Sequence, residues 1–147
     1  VTTRKAAHEA VGGFDAGYRY VVDWEFWLRV ADRFPVAWID GPPLVSVRWH
    51  GASETHRFKE GLDDLEEVER LLAGHGLRPG RRLARAYLNR AHDALKAGRP
   101  QLARVALDRA LHLSPSVLGS LLSDPRLAAQ MAVLRVSPER AARWFSR

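Results

Sequence analysis

The sequence predicts an α/β segment followed by an all-α tail, with the change near residue 60. Two different apolar periods alternate before that point, helical over residues 24–31 and strand-like over 44–49. Only helical spacing follows it. Turn residues punctuate the chain between these stretches, and five tryptophans within 46% hydrophobic residues supply core material. A length of 147 residues suits one domain, or part of one with an appendage.

The elements read as follows. Gly12-Gly13-Phe14-Asp15 is a turn, because paired glycines allow backbone angles that other residues avoid. Asp23 opens a helix in which Trp24, Trp27, Leu28 and Ala31 fall at i, i+3, i+4 and i+7, a predicted buried stripe. Phe34-Pro35 stops it, and Val36 to Ile39 is a short predicted strand. After the Gly41-Pro42-Pro43 turn, Leu44 to Trp49 is β-rich, with Val45, Val47 and Trp49 on one face and Ser46 and Arg48 on the other. Glu60 to Leu72 is an acidic amphipathic helix whose apolar stripe is Leu62, Leu65, Val68, Leu71 and Leu72. Gly74, Gly76, Pro79 and Gly80 break the chain. From Arg81 onward, helices are separated at Gly98-Arg99-Pro100, Ser114-Pro115, Asp124-Pro125 and Ser137-Pro138. Each break places a proline where a helix starts and its missing N–H costs nothing.

Ala91, Gly98, Ala103, Ala110 and Pro115 are spaced 7, 5, 7 and 5. That is the small-residue ladder of a tetratricopeptide-like helix pair spanning about 83–115. Leu83, Tyr87, Leu95, Leu102, Leu107 and Leu111 supply its packing. The domain reading is therefore 1–59 for the α/β segment and 60–147 for the helical extension.

Charge is unevenly placed on a chain of net +6. Glu60 to Leu72 holds six acids against Arg70 alone, whereas Ala73 to Arg147 holds fourteen Arg or Lys and four acids. A basic end attracts phosphates or an anionic membrane surface, or simply solvates a helical face. The final helix carries Trp144 and Phe145 among Arg140, Arg143 and Arg147, which suits either a peripheral membrane contact or a docked terminal helix. A nucleic-acid partner is not expected: the arginines are not interleaved with aromatics, and no recognised module is present. There is no cysteine, which excludes disulfides, thiolate metal sites and cysteine nucleophiles.

The stretch from Val11 to Ser53 carries the chemical signal. It reads Val-Gly-Gly-Phe-Asp, then seven residues, then Asp23-Trp-Glu-Phe-Trp-Leu-Arg-Val-Ala, and ends Pro-Leu-Val-Ser-Val-Arg-Trp-His50-Gly-Ala-Ser53. This resembles the second half of family 2 glycosyltransferase domains, over roughly the first 55 residues. Those domains show a Gly-Gly-Phe-Asp turn, an acid-Asp-aromatic-acid helix ending Trp-Leu-Arg, and a Pro-Leu strand ending Tyr-Arg-x-His. The resemblance implies a GT-A fold, of which this chain would be the C-terminal, acceptor-side portion. It implies a nucleotide-diphosphate sugar donor, a sugar or lipid-linked acceptor, and a divalent cation, magnesium or manganese. It implies inversion, with Asp23 as the base that takes the acceptor proton. The acid that often precedes that base is Val22 here.

The chemistry asks for such a carboxylate, since an alcohol is a poor nucleophile until its proton is accepted. A helix N-terminus keeps the anion ionised, and the same placement also suits an ordinary cap. Glu25 is expected as a first-turn charge and Arg29 as an ion-pair residue. His50 either ligates the cation, hydrogen-bonds a phosphate, or caps the strand in a Gly-rich loop. Arg48 shares its face and offsets phosphate charge. Gly12 and Gly13 shape the acceptor-side loop, and Ser53 and His56 sit in a loop over the donor.

No Asp-x-Asp, Gly-rich phosphate loop or Walker pattern occurs in the sequence. The expectation is therefore a piece of a longer enzyme, inactive by itself, with the donor-binding half before Val1. Its expected location is the cytoplasm or the inner face of the membrane. The competing expectation is a non-enzymatic helical interaction module.

Overall fold

The computed structural model of the chain describes residues 1–43, 45–48, 61–121 and 125–145. The chain divides into two units, Val1–Phe58 and Lys59–Arg147.

The first unit holds α1, Lys5–Val11, and α2, Val22–Arg33. Helix α1 ends at Gly12, whose φ of 83° lies in the left-handed region and whose N–H donates to the His8 carbonyl at 3.1 Å. Helix α2 ends at Phe34, in extended conformation at φ −134° and ψ 145°. The cause is Pro35, whose ring excludes the helical region for the residue before it. The buried face of α2 is Val21, Glu25, Phe26 and Val30. The expected Trp24, Trp27, Leu28, Ala31 stripe is displaced: Trp24 is 57% exposed, Ala31 is exposed, and Trp27 and Leu28 are half-buried. Helix α1 and the glycine turn set this rotation. They bring His8 and Phe14 onto the Phe26 ring, at centroid separations of 4.8 and 4.9 Å.

The strands do not form. Residues 36–40 and 45–48 are irregular, and 44 and 49 lie outside the described residues. Among the described residues there is no β-strand, so the architecture is helical and the α/β expectation, with the GT-A portion it implied, is overturned. Alternating apolar residues specify a face, but a strand persists only when a neighbour completes its hydrogen-bond ladder. No described segment does so. Val36, Trp38, Ile39, Val45 and Val47 are each left at least 74% exposed.

The second unit contains α3, Asp63–Gly74, α4, Arg81–Lys96, and α5, Pro100–Leu113. A 3₁₀ turn at Pro115–Leu121, α6, Pro125–Val136, and α7, Pro138–Phe145, follow. A proline opens each element from α5 onward, as the breaks in the sequence predict. Glycines close the two preceding turns. At the end of α4, the N–H of Gly98 (φ 69°) reaches Leu95 O at 3.0 Å and that of Arg99 reaches Ala94 O at 2.8 Å. Gly76 (φ 67°) and Leu77 repeat this double closure at the end of α3. Two orphan carbonyls are satisfied at each site, and only glycine takes the left-handed position without strain.

Small residues let α4 and α5 approach closely: Ala84, Ala91, Ala103, Ala106 and Ala110 are all at 0% exposure. Tyr87, Leu95 and Leu107 fill the space around them, and Met131, Leu134 and Ala141 bring α6 and α7 into the same core. Ala103→Leu therefore forces extra methylenes into a filled contact. It should destabilise the second unit by about 1–3 kcal/mol in chemical denaturation. A loss below about 0.5 kcal/mol would mean the helices are not in tight contact there.

Two arginines hold α3 to this hairpin. The Arg90 side chain is 9% exposed and grips Asp64 through two bonds of 2.8 and 3.0 Å, while also donating to the Gly61 carbonyl. Arg109 forks onto the Glu69 carboxylate, with Nε at 2.8 Å from Oε1. Burial by itself raises the Glu69 carboxyl; the Arg109 guanidinium, the Tyr87 hydroxyl and His112 outweigh it and bring it below its ordinary 4.5. A depressed carboxyl contributes stability above its unfolded pKa and loses it as pH falls through the folded value. Arg109→Gln removes the guanidinium that does most to hold that carboxyl down, so the carboxyl moves up and its contribution to stability at neutral pH falls. Denaturation midpoints measured from about pH 7 to pH 3 should show the variant losing most stability at neutral pH and the difference shrinking on acidification. An equal difference at every pH would exclude Glu69 as the group responsible.

No helix among the described residues is long and apolar enough to cross a membrane.

Candidate functional site

The first turn of α2 carries the candidate base. Val21 takes the capping position, and Asp23 is the second residue of the helix. The Asp23 side chain is exposed, and its Oδ1 accepts the Trp24 backbone N–H at 2.9 Å. Free N–H groups and the helix dipole favour an anion there.

Beneath it lies a clamp. A helix C-terminus leaves its last carbonyls without intrahelical donors, and α1 ends at Val11. Two arginines one turn apart on α2 supply those donors. Arg29 donates from Nη1 to the Val11 carbonyl and from Nη2 to the Gly13 carbonyl at 2.7 Å, and Arg33 donates to Ala10 O at 2.8 Å. Arg29 also holds Glu25 in a fork, Nε to Oε1 at 2.6 Å and Nη2 to Oε2 at 2.8 Å. Glu25 is 6% exposed, so this cation is what makes its burial tolerable. The Glu25 hydrogen bonds in turn raise the pKa of the Arg29 guanidinium. The guanidinium sits 5.6 Å from the centre of the Phe26 ring, which also meets Phe14 and His8. The glycine-phenylalanine turn and the helix bearing Asp23 are thus one fixed piece.

The other candidates are placed as follows. At Gly12 a Cβ would come 3.9 Å from the Arg29 guanidinium, and the positive φ would strain any other residue; at Gly13 nothing lies within 4 Å. Asp15 closes the turn by accepting the Gly17 N–H at 2.8 Å. Arg48 is exposed, and no hydrogen bond or ion pair among the described residues joins it to Asp23. His50, Ser53 and His56 lie outside the described residues. A divalent cation needs convergent oxygen or nitrogen ligands. Among the described residues no three carboxylate or imidazole groups converge. Glu25 is committed to Arg29, and Asp15 to its own turn. The residues described do not form a site for the cation that the resemblance implies.

Sequence reasoning placed Arg29 in an ion pair but missed its second task, holding the turn, and missed Arg33 altogether. Glu25 and Arg29 stand at i, i+4 in the favourable order, so the pair itself was readable. The carbonyls were not, since they belong to a helix that no pattern announced.

Family models, curated proteins and solved structures were all compared with the chain, and none matches it.

Proposed function

We propose that this chain carries the acceptor-side base of a family 2-like, inverting glycosyltransferase. One observation supports the reading above the others. The two motifs that carry the resemblance, Gly12-Gly13-Phe14-Asp15 and the Asp23 helix, are joined by Arg29 into a single piece with the Asp23 carboxylate exposed. A base held on a rigid element can meet a hydroxyl without reorganisation.

The step is a substitution at the sugar's anomeric carbon. The acceptor oxygen forms the new C–O bond as its proton passes to Asp23. The bond to the phosphate oxygen breaks, and the nucleoside diphosphate leaves with that electron pair. The donor is a nucleotide-diphosphate sugar, and the acceptor a sugar or a lipid-linked sugar on the cytoplasmic side of the membrane. By the resemblance, Arg48 and His50 are the residues to test for binding of the diphosphate. A divalent cation, magnesium or manganese, would supply charge to the leaving group when bound, with ligands beyond the described residues.

The test is an assay of the gene product that contains this chain. Uridine, guanosine and thymidine diphosphate sugars are offered with sugar acceptors, and nucleoside diphosphate release is followed. Acceptor-dependent release, with an inverted anomeric centre by NMR, is the expected result. Absence of release from every donor, from a folded product, would remove the proposal.

A second reading is favoured by the packing of α6 and α7 onto the α4–α5 hairpin through Met131, Leu134 and Ala141. Stacked helix pairs make interaction surfaces, and a non-enzymatic helical module would retain its biological role when Asp23 is lost.

A further inference from the structure

We propose that the outer face of α4 is an electrostatic docking surface for an anionic phospholipid bilayer. This surface is independent of the transferase reading, so each can fail without the other.

At 100° per residue, Arg81, Arg82, Arg85, Asn89 and Lys96 share one arc of the helix, and all are exposed. Leu83, Ala84, Tyr87, Leu88, Ala91 and Leu95 occupy the opposite, buried side. The arc holds one acid, Asp93, and Arg78 stands exposed just ahead of it. A helix of this length is about 24 Å long, so the cations form a row rather than a point.

These charges are not used by the fold. No ion pair joins Arg78, Arg81, Arg82, Arg85 or Lys96 to an acid among the described residues, whereas Arg90 and Arg109 are both paired. Arg81 and Arg82 stand in the first turn, which contains no acid and where the dipole disfavours cations. Their placement gains nothing from the helix dipole.

The face also narrows the occupant. Its one ring is the half-buried imidazole of His92, and it carries no Phe, Tyr, Trp or large aliphatic side chain, so it offers no run of rings on which single-stranded nucleic acid could stack. For the same reason it lacks the buried anchor of a protein interface and the apolar edge that would insert into a bilayer. What remains is a line of exposed arginines ending in Lys96, which suits a plane of phosphate oxygens met without insertion.

The experiment is co-sedimentation of the full chain with vesicles of phosphatidylglycerol and phosphatidylcholine, against phosphatidylcholine alone. Binding is expected only with phosphatidylglycerol and should weaken as salt rises. Each basic residue near such a surface contributes roughly a fivefold factor. Arg81→Gln, Arg82→Gln, Arg85→Gln and Lys96→Gln together should therefore lower partition by several hundredfold, on the order of 10²–10³. A matched set, Arg4→Gln, Arg126→Gln, Arg135→Gln and Arg140→Gln, removes the same charge elsewhere and should lose only about threefold. Circular dichroism confirms that both variants fold. Equal loss in the two sets would assign binding to net charge and overturn the proposal. So would absence of vesicle binding, or binding of duplex DNA at a salt concentration where vesicles are no longer held.

Discussion

Asp23→Asn is expected to lower transfer by about 10²–10⁴-fold, the range over which a positioned base contributes, with little change in fold. Asparagine has the same shape, and its carbonyl oxygen can still accept the Trp24 N–H that Asp23 Oδ1 accepts at 2.9 Å. What it lacks is the negative charge that makes a carboxylate oxygen basic enough to take a proton. The loss should therefore fall on kcat, with KM for the acceptor nearly unchanged, since the interaction removed exists only in the transition state. If Asp23 serves only as a first-turn charge, the effect is one of stability. An exposed charge near a helix N-terminus contributes about 0.3–1 kcal/mol, and turnover by the folded fraction would be untouched. Transfer by Asp23→Asn within about threefold of the parent, at equal folded concentration, would remove the catalytic assignment. Asp23→Glu refines the outcome: it keeps the base but displaces it, and a partial loss is expected from misplacement alone.

The helices were legible because their signals are local. Proline marks the first residue of four consecutive elements, and left-handed Gly76 and Gly98 mark two ends. The ladder of Ala91, Ala103 and Ala110 is buried to 0% exposure, because small side chains at helical spacing have one evident use. The strands failed for a converse reason. Val45 and Val47 alternate correctly, but alternation says nothing about whether a partner strand is present, and pairing is what stabilises the conformation. The Trp24 stripe failed similarly: α2 has two apolar sides, and only tertiary contact with His8 and Phe14 selects the one bearing Phe26. Of the candidate site, Asp23 and the glycines could be read from the order of motifs. The clamp depends on backbone carbonyls, which have no letter in the sequence.

Arg29→Met should destabilise the first unit by about 3 kcal/mol. The guanidinium makes four bonds, two to Glu25 and two to backbone carbonyls. Removing it leaves the Glu25 carboxylate, 6% exposed, without its cation, and breaking one half of a buried pair costs about 3–5 kcal/mol. Water reaches the Arg29 side chain, which is 27% exposed, so the lower end of that range applies. Methionine retains the aliphatic packing over Phe26, and the measured loss then reports polar contacts rather than a cavity. Arg29→Lys should fall between, since one ammonium cannot serve both a carboxylate fork and two carbonyls. The informative control is Glu25→Met made together with Arg29→Met. With no buried charge left, the double variant should recover most of the stability lost by the single one. Four of the five tryptophans, Trp24, Trp27, Trp38 and Trp49, belong to the first unit, so tryptophan fluorescence in urea follows its unfolding. A double variant as unstable as Arg29→Met would place the energy in the Val11 and Gly13 carbonyls instead of the ion pair. In that case Asp23 depends on Arg29 through the glycine turn alone, and transfer should fall with Arg29→Met even where the unit remains folded.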